Sequence, residues 1–173
     1  MSDRLLVGPE PLGAHHIVAG FACGVDSIDT YLVRQALADQ RGEKSRTYVF
    51  SQGKRVVAFG TFTAAGIEPA VTTARLAAGQ GGQLIPVILL ARLAVDESRQ
   101  GRGIGEAVLI DALARAARAA DLIGARAVLV HATNALAAAF YSRYGFEPSP
   151  TDELHLVLPM KNIRASLGRA TRD

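Results

Sequence analysis

Apolar residues follow two different spacings along the chain, and these spacings alternate in its second half. The runs at 87–95 and 127–132 are short, continuous and rich in Val, Ile and Leu, which is typical of buried strands. Each run is followed by a segment, 103–121 or 134–144, in which apolar side chains recur every three or four residues, as on the buried face of a helix. The two spacings therefore predict two strands, each followed by a helix.

The first half of the chain and its end predict further strands and one more helix. Short runs rich in Val, Phe, Tyr and Thr indicate strands, and a Gln-Gly-Lys turn between two of them indicates a hairpin. The expected elements are a short edge strand within residues 1–20, a helix over 26–40, a hairpin formed by 47–51 and 55–63, and closing strands at Phe146 and 154–158.

Two stretches give no clear periodicity. Residues 64–86 contain several Gly and Pro residues, and such a long connection often binds or covers something. A partly helical surface insertion is an equally good interpretation, so the sequence leaves open whether this connection is helical or a mobile loop. Residues 164–173 are polar and basic, and we expect them to form a disordered tail.

Length, charge and cysteine content narrow the class of protein. At 173 residues the chain is long enough for one domain with a substantial core, which we expect to span 1–163. The 19 Lys and Arg against 16 Asp and Glu give a net charge of +3, which fits an anionic ligand or nucleic acid without demanding either. Cys23 is the only cysteine, so no disulfide framework exists. No apolar run is long enough to span a membrane, and we expect a soluble intracellular protein without a membrane partner.

The connection between the strand at 87–95 and the following helix has the pattern Q-x-x-G-x-G from Gln100 to Gly105. The glycines carry no Cβ, so the backbone can approach a ligand closely. The N–H groups of the first helical turn have no intrahelical partner and favour an anion. The run lacks the Gly-Lys-Ser/Thr of a P-loop, and the dinucleotide pattern G-x-G-x-x-G does not fit it. It predicts an anion cradle, the alternative being a glycine-rich connection without a ligand.

This loop resembles the signature with which the GNAT acyltransferase superfamily binds the pyrophosphate of acyl-coenzyme A. Asn134, followed by a helix carrying F-Y-x-x-x-G-F from Phe140 to Phe146, resembles its second signature. The resemblance implies an α/β fold with a mixed central sheet, splayed parallel strands and flanking helices, and acetyl-CoA as cosubstrate. The residues that it implies for acetyl-CoA binding are Leu93, Ala94, Val95, Gln100, Gly101, Arg102, Gly103, Ile104, Gly105, Glu106, Asn134, Phe140 and Tyr144.

The resemblance places Tyr141 near the sulfur of the coenzyme, as the catalytic residue. When an amine attacks the thioester, coenzyme A must leave as a thiolate. A phenol with a pKa of about 10 stays protonated at neutral pH and can donate a proton to that thiolate. The alternative interpretation is that the aromatic side chains of this segment are core residues only, which is favoured for Phe140 and Phe146.

The sequence singles out no general base and no metal site. The acidic residues near the predicted site or in the long connection are Asp96, Glu97 and Glu68, and each can equally be a solvated side chain. His131, at the end of its strand, can assist the reaction or simply be a strand-end histidine. No metal is expected, because the spacing of the other histidines fits no ligand set: His15, His16 and His155.

Four further stretches narrow the resemblance to the GNAT toxins of bacterial toxin–antitoxin modules. They are Phe21-Ala-Cys-Gly24, Arg46-Thr-Tyr-Val49, Ile85-Pro-Val87 before Leu90-Ala-Arg-Leu-Ala-Val-Asp96, and Phe146-Glu-Pro-Ser-Pro-Thr151. The resemblance covers residues 15–160 and implies a toxin of the bacterial cytoplasm that acetylates the α-amino group of aminoacyl-tRNA and stops translation. It also implies a ribbon-helix-helix antitoxin as partner, and it leaves a homodimer open.

Basic side chains from several elements suit a tRNA substrate, because Lys and Arg bind phosphates. The predicted tRNA-binding residues are Arg46, Arg75, Arg92 and Arg99, and an ordinary solvated surface is the alternative for each. Two other functions stay open at this point. One is a GNAT N-acetyltransferase that acts on a small amine or a protein N-terminus. The other is a non-catalytic coenzyme-binding module, against which the intact glycine loop and Tyr141 argue. The sequence does not indicate which aminoacyl-tRNA is preferred.

Overall fold

The computed structural model describes residues 5–170 and 172, and this part of the chain alternates strands and helices. The strands are β1 (Leu6–Pro11), β2 (Arg46–Gln52), β3 (Arg55–Ile67), β4 (Ile85–Val95), β5 (Ala127–His131), β6 (Glu147–Pro148) and β7 (His155–Pro159). The helices are α1 (Asp26–Arg34), α2 (Ala36–Arg41), α3 (Ala74–Ala77), α4 (Ile104–Leu122), α5 (Ala135–Ser142) and α6 (Met160–Ala170). Among these described helices, none has both the length and the apolar character needed to cross a membrane.

The strands form one mixed sheet in the order β1-β2-β3-β4-β5-β7-β6. β4 and β5 are parallel, with Cα partners from Val87↔Ala127 to Leu90↔Val130, and the other assigned pairs are antiparallel. β5 ends at His131 whereas β4 continues to Val95, so the last residues of β4 have no β5 residue opposite them. The predicted α/β fold with a mixed sheet and flanking helices is confirmed.

Two compact units divide these elements, and each has its own buried cluster. The N-terminal unit comprises the residues up to Thr63 together with Ala91–Ala112, and the C-terminal unit comprises Ala64–Leu90 and the residues from Leu113 onward. A main cluster of the N-terminal unit contains Tyr31, Leu32, Ala36, Val49, Val56 and Phe59. The corresponding cluster of the C-terminal unit contains Ile67, Leu76, Ile85, Val87, Ala127, Leu129 and Val157. A single domain over 1–163 stays a prediction.

The helix predicted over 26–40 is two helices, because the backbone leaves helical geometry at Gln35, where φ is −127° and ψ is −34°. The N–H of Gln35 still donates to the carbonyl of Tyr31 at 2.9 Å, so the chain bends here without losing that bond. The apolar spacing continues through the bend to Ala36, which is fully buried. For this reason, the sequence pattern gives no sign of the break.

The connection 64–86 is partly strand and partly helical in the structure. β3 extends to Ile67, a 3₁₀ turn covers Pro69–Val71, and α3 follows. The hydroxyl of Thr73 accepts from the N–H of Leu76 at 3.2 Å and caps α3. The guanidinium of Arg126 donates to the carbonyl of Leu76 at 2.8 Å. Contacts so distant along the chain explain why no local period revealed this structure.

The prediction of a disordered tail is wrong for residues 164–170, because α6 continues to Ala170. Met160 and Ile163 are buried at its start, and Arg164 forms an ion pair with Asp121 at 2.8 Å. Polar composition alone suggested disorder, but one buried face is enough to hold an amphipathic helix in place. Residues 171 and 173 lie outside the described part of the chain.

Candidate functional site

The glycine loop between β4 and α4 lies within the N-terminal unit and borders open space. Gly101 and Gly103 have φ angles of 75° and 80°, which L side chains rarely adopt. A Cβ built on either glycine would meet no described atom within 4 Å. The N–H of Ala107 donates to the carbonyl of Gly103 at 3.2 Å, so the helix starts there and the N–H groups of its first turn lack an intrahelical partner. The loop thus presents main-chain donors beside unfilled space.

The segment before α1 fixes the path of this loop. The N–H of Ala22 donates to Oδ2 of Asp96 at 3.0 Å. The side-chain amide of Gln100 donates to the carbonyl oxygens of Cys23 at 3.0 Å and Val95 at 2.9 Å. Gln100 was predicted to bind acetyl-CoA, but its amide N–H groups are occupied by the protein itself. Its side chain therefore holds the loop in shape.

Asp96 has the same structural role and is a poor choice of general base. Its Oδ1 accepts from the N–H of Ser98 at 3.0 Å and from the Ser98 hydroxyl at 2.7 Å. Partial burial acts to raise the pKa of Asp96, but the hydrogen bonds from Ser98 and from the Ala22 N–H outweigh it and hold the pKa below its ordinary value. Glu97 and Glu68 are exposed, and nothing in the structure gives either of them a catalytic role.

The end of β4 commits its side chains to the protein interior. Leu93 and Val95 are half-buried and pack on a cluster that includes Val57 and Val108. Ala94 points to the other face of the strand, where it is buried. These side chains are mostly engaged in packing, and the main-chain contacts with acetyl-CoA that the resemblance implies for this stretch stay a prediction.

The loop residues suit the diphosphate of acetyl-CoA. Main-chain donors at the start of a helix attract anions, and two glycines leave room for phosphate oxygens. Arg102 is exposed and can add a positive charge, while Ile104 packs on the neighbouring apolar cluster and holds the helix start in place. Glu106 is exposed in the first turn of α4 and brings one negative charge, which the donors of the loop must outweigh.

In the C-terminal unit, Asn134 opens α5. Its Oδ1 accepts from the N–H of Ala137 at 2.9 Å, which is an N-cap. This contact explains why an Asn stands between β5 and α5 on structural grounds alone. The predicted contact between Asn134 and acetyl-CoA stays a prediction, for which the amide nitrogen and the second lone pair of Oδ1 are both left.

Tyr141 lies on the buried face of α5, with 7% of its surface exposed. Its ring packs against Phe140 and Phe146, with centroid separations of 5.3 Å and 5.4 Å. Within the described residues its hydroxyl has no hydrogen-bond partner. Burial raises the pKa of Tyr141 above its ordinary value, so the phenol is fully protonated at neutral pH. A protonated hydroxyl without a protein acceptor is available to donate to a ligand.

Phe140 and Tyr144 complete this aromatic cluster. Their ring centroids lie 5.2 Å apart with the planes inclined at 60°, and both residues are partly exposed. The guanidinium of Arg143 lies 5.7 Å from the Phe140 ring. The structure brings Phe140, Tyr141 and Tyr144 together, and the partial exposure of Phe140 and Tyr144 leaves each of them a surface for a ligand. Their contacts with acetyl-CoA stay predictions.

One cluster of histidines has the composition of a metal site, formed by Glu10, His15 and His16 with ligand atoms within 4.8 Å of one another. Nδ1 of His16 accepts from the N–H of Gly13 at 2.9 Å, so Nε2 carries the proton and donates to Glu10 at 2.8 Å. A protonated ring nitrogen has no lone pair for a metal. Hydrogen bonding therefore explains the cluster, and the expectation of no metal stays a prediction.

Each of the four arginines predicted to bind tRNA has a contact within its own unit. The partners are the Gln40 carbonyl for Arg46, Oδ1 of Asn162 for Arg75, the Tyr31 ring for Arg92, and Oε1 of Gln52 for Arg99. Arg75 belongs to the C-terminal unit and the other three to the N-terminal unit. The Arg92 guanidinium lies 3.5 Å from the centre of the Tyr31 ring, a cation–π contact that holds it in one orientation.

The fold and the two signatures define an acyltransferase of the GNAT class. The family model described as an acetyltransferase (GNAT) domain matches residues 43–148, and the chain belongs to this family. Within it, the chain is 45% identical to a protein named tRNA-acetylating toxin from Mycobacterium tuberculosis (strain ATCC 25618 / H37Rv), over 87% of this chain and 90% of the relative.

Solved structures of a similar fold include the toxin AtaT in several complexes. AtaT complexed with acetyl-methionyl-tRNAfMet has a TM-score of 0.84 and 25% identity, over 94% of this chain and 98% of AtaT. AtaTR bound with acetyl-CoA gives a TM-score of 0.79 and 25% identity, over 94% and 97% of the two chains. The AtaT–AtaR complex bound to DNA gives a TM-score of 0.75 and 25% identity, over 94% of this chain and 99% of the other chain.

Sequence reasoning missed how the segment Phe21–Gly24 contributes to the site. From sequence, this stretch contributes only to the resemblance to the GNAT toxins. The structure shows that the N–H of Ala22 and the carbonyl of Cys23 bond to Asp96 and Gln100 and so hold the glycine loop. Gly24 has a φ of 98°, and a Cβ there would lie 3.2 Å from Oε1 of Glu97. The sequence offered one signal, the glycine just before the predicted helix. That glycine did not indicate that this segment contacts the glycine loop.

Proposed function

We propose that this protein transfers the acetyl group of acetyl-CoA to the α-amino group of aminoacyl-tRNA, and that it is the toxin of a toxin–antitoxin module in the bacterial cytoplasm. The observation that carries the transfer step is the buried, protonated hydroxyl of Tyr141, for which the described residues provide no acceptor. The aminoacyl-tRNA substrate is supported by the 45% identity with a tRNA-acetylating toxin.

Two groups of residues have separate roles in this reaction. Acetyl-CoA supplies the acetyl group as an activated thioester. The amine nitrogen bonds to the acetyl carbon, the carbon–sulfur bond breaks, the nitrogen loses a proton and the sulfur gains one. Tyr141 donates the proton to the sulfur, since burial keeps its hydroxyl protonated, and the proton lost by the nitrogen restores the Tyr141 hydroxyl through solvent. The N–H groups at Gly103 and the first turn of α4 hold the diphosphate.

The absence of an obvious carboxylate base among the described residues suits this acceptor. The reference pKa of an α-amino group is about 7.7–8.0, against about 10.4 for a lysine side chain. A substantial fraction of such an amine is unprotonated at neutral pH and ready to attack. With an acceptor of this kind, the enzyme needs no strong base to deprotonate the amine. Asp96 fits this view, because its carboxylate is engaged in hydrogen bonds with Ser98.

The remaining partners follow from the same proposal. Arg46, Arg75, Arg92 and Arg99 would contact tRNA phosphates, and binding would weaken as salt rises. A DNA-binding antitoxin of the ribbon-helix-helix type would neutralise the toxin, as a relative's complex with AtaR on DNA suggests. A homodimer stays a prediction.

The test is acetyl transfer from labelled acetyl-CoA to total charged tRNA, with deacylated tRNA, free amines and protein as parallel acceptors. We expect label on charged tRNA only, released with the N-acetyl-amino acid on alkaline hydrolysis of the ester. Label on small amines or protein N-termini alone would contradict the proposal and establish the general N-acetyltransferase alternative. Sequencing the labelled tRNA would identify the preferred isoacceptor.

A further inference from the structure

Arg92 differs from the other three arginines that were assigned above to tRNA. Those three donate hydrogen bonds to the protein itself: Arg46 to the Gln40 carbonyl, Arg75 to Asn162 and Arg99 to Gln52. Within the described residues Arg92 makes neither a hydrogen bond nor an ion pair, and its guanidinium lies over the ring of Tyr31. The five N–H donors of this guanidinium are therefore open to a ligand.

The guanidinium of Arg92 lies flat on the ring of Tyr31. The distance from its central carbon to the ring centre is 3.5 Å, which is van der Waals contact between carbon atoms. So short a distance leaves no room for an N–H group between the guanidinium and the ring. One face of the guanidinium is therefore covered, and its N–H groups point outward from its edges, in the planar fork that matches two oxygens of a phosphate.

Hydrogen bonds at the far end of Tyr31 hold its ring in place. The hydroxyl donates to Oδ2 of Asp39 at 3.1 Å and lies 2.8 Å from the hydroxyl of Ser45, which is then the donor in that second bond. Burial raises the pKa of Tyr31, so the phenol stays protonated and keeps its bond to Asp39 at neutral pH. Donation to a carboxylate also makes the phenol more electron-rich, which favours a cation over the ring.

The bend at Gln35 allows Asp39 to reach Tyr31. Tyr31 belongs to α1 and Asp39 to α2, and their separation of 8 residues would be about 12 Å along the axis of one straight helix. Because the backbone leaves helical geometry between them, the two side chains meet. The break between the helices thus has a structural result: it brings a carboxylate to the tyrosine on which Arg92 lies.

Arg92 and the glycine loop lie on different sides of β4. Side chains alternate along a strand, so Arg92 shares a face with the buried Ala94, whereas Leu93 and Val95 share the other face. The face of Leu93 and Val95 packs near the start of α4, where the diphosphate of acetyl-CoA is expected. A phosphate bound by Arg92 therefore lies across the strand from that position, and a tRNA phosphate fits there better than one from the coenzyme.

We propose that Tyr31 positions Arg92 for aminoacyl-tRNA, by holding the guanidinium so that two of its N–H groups bind one backbone phosphate. Tyr31 is then a positioning residue, and Arg92 is the group that touches the substrate. This inference rests on the function proposed above and deepens it, because it makes a buried aromatic ring, as well as the arginine itself, a determinant of tRNA binding.

The experiment measures kcat/KM for acetylation of charged tRNA between about 50 and 200 mM salt. Each lost phosphate contact should make the plot of its logarithm against the logarithm of the salt concentration less steep by about 0.7–0.9. Arg92→Gln should lose about one such contact and lower kcat/KM by about 10-fold or more, mainly through KM. Tyr31→Leu keeps the arginine and removes the ring, so it should change the slope in the same direction and lower kcat/KM by about 3-fold or more. Calorimetry should give the parent Kd for acetyl-CoA in both variants.

Further variants separate positioning from a general structural role. If Tyr31 acts through Arg92, Tyr31→Leu should have little further effect on kcat/KM once Arg92 is Gln. Tyr31→Phe keeps the ring and should retain most of the salt slope. Arg92→Lys leaves the core untouched and keeps the charge without the planar fork, so it should also lower kcat/KM. Phe59→Leu is the matched control, since Phe59 is a buried aromatic residue of the same cluster, and it should lower the melting temperature without changing the slope.

Several results would overturn the positioning role while leaving tRNA acetylation intact. They are additive effects of the two substitutions, a parent-like slope in Tyr31→Leu, parent-like activity in Arg92→Lys, and an equal change of slope in Phe59→Leu. A weaker Kd for acetyl-CoA in Arg92→Gln, with an unchanged salt slope, would assign the phosphate to the coenzyme and overturn it as well. A parent protein that acetylates no charged tRNA would overturn the proposed function, and this inference with it.

Discussion

The helices α4 and α5 both follow a parallel strand, yet they begin in opposite ways. α5 begins at Asn134, whose side-chain oxygen caps the N–H of Ala137. α4 begins at Gly103, which has no side chain and borders open space. One helix start has a side-chain cap on one of its N–H groups, whereas no described side chain caps the N–H groups of the other. A helix that leaves its first N–H groups open in this way is prepared for an anion from outside the chain.

The two starts also differ in what they contribute to chemistry. The start of α4 contributes backbone N–H groups, and its glycines matter mainly because they leave room for a ligand. In α5 a side chain caps one N–H group of the first turn, and the group that stays open for chemistry is the hydroxyl of Tyr141, within the helix. Binding and proton donation should therefore be separable by mutation, and the following experiments test this separation.

Replacing Tyr141 with Phe should have the largest effect. We expect turnover to fall by about 10²–10⁴, the usual scale for a lost proton donor, with an unchanged Kd for acetyl-CoA. The ring stays in its aromatic cluster and no hydrogen bond to a described residue is lost, so thermal stability should match the parent. Acetyl-transfer assays, calorimetry and thermal melting measure these three quantities. Near-normal turnover would mean that the proton comes from another group.

Gly103→Glu should weaken acetyl-CoA binding by at least about 100-fold, because it places bulk and a negative charge among donors that serve an anion. Gly81→Glu is a matched control. Gly81 also has a positive φ, at 62°, and a Cβ there also meets nothing within 4 Å, so it incurs the same backbone strain away from the glycine loop. Calorimetry with acetyl-CoA compares the two variants. An equal loss in both would show that strain, and not the cradle, causes the effect.

Asn134→Ala should lower the free energy of unfolding by about 0.5–2 kcal/mol, the usual effect of losing an N-cap. Asn134→Ser keeps an acceptor oxygen and should stay close to the parent. Urea unfolding measures the difference, and an unchanged midpoint in the Ala variant would contradict the capping role. A weaker Kd for acetyl-CoA in the Ala variant would indicate that Asn134 also contacts the coenzyme.

The smallest expected effect concerns pH. Burial first, and the neighbouring His155 second, lower the pKa of His131 in the folded protein below its ordinary value of 6.5, so the unfolded chain binds more protons just below that pH. Stability should therefore fall as the pH drops from 6.5 toward the folded pKa. His131→Gln should show a flatter profile in unfolding experiments between pH 8 and 5. The lowered pKa of Asp96 also makes stability fall as the pH drops, but only below the ordinary carboxyl pKa of 3.8. A profile in His131→Gln as steep as that of the parent would assign the effect to other groups.

What could be predicted from the sequence was mostly local. The strand, glycine loop and helix around Gly103 follow from spacing and from glycine itself, and Tyr141 follows from a motif within one helix. The contacts that shape the loop could not be predicted from sequence. In one of them, the main-chain N–H of Ala22 donates to the carboxylate of Asp96, 74 positions away. The bend at Gln35 leaves the apolar spacing undisturbed, and α6 packs through the buried side chains of Met160 and Ile163 within a sequence that is mostly polar.

The hydrogen bond from the Gln100 side chain to the carbonyl of Cys23 determines which substitutions this segment can accept. Its acceptor is a carbonyl oxygen, which every amino acid provides, and burial raises the pKa of the Cys23 thiol to about 11, so the thiol is unreactive at neutral pH. Position 24 is different, since its left-handed backbone and the nearby Glu97 disfavour any Cβ. Selection on the site should therefore tolerate substitutions of the cysteine and remove substitutions of the glycine that follows it.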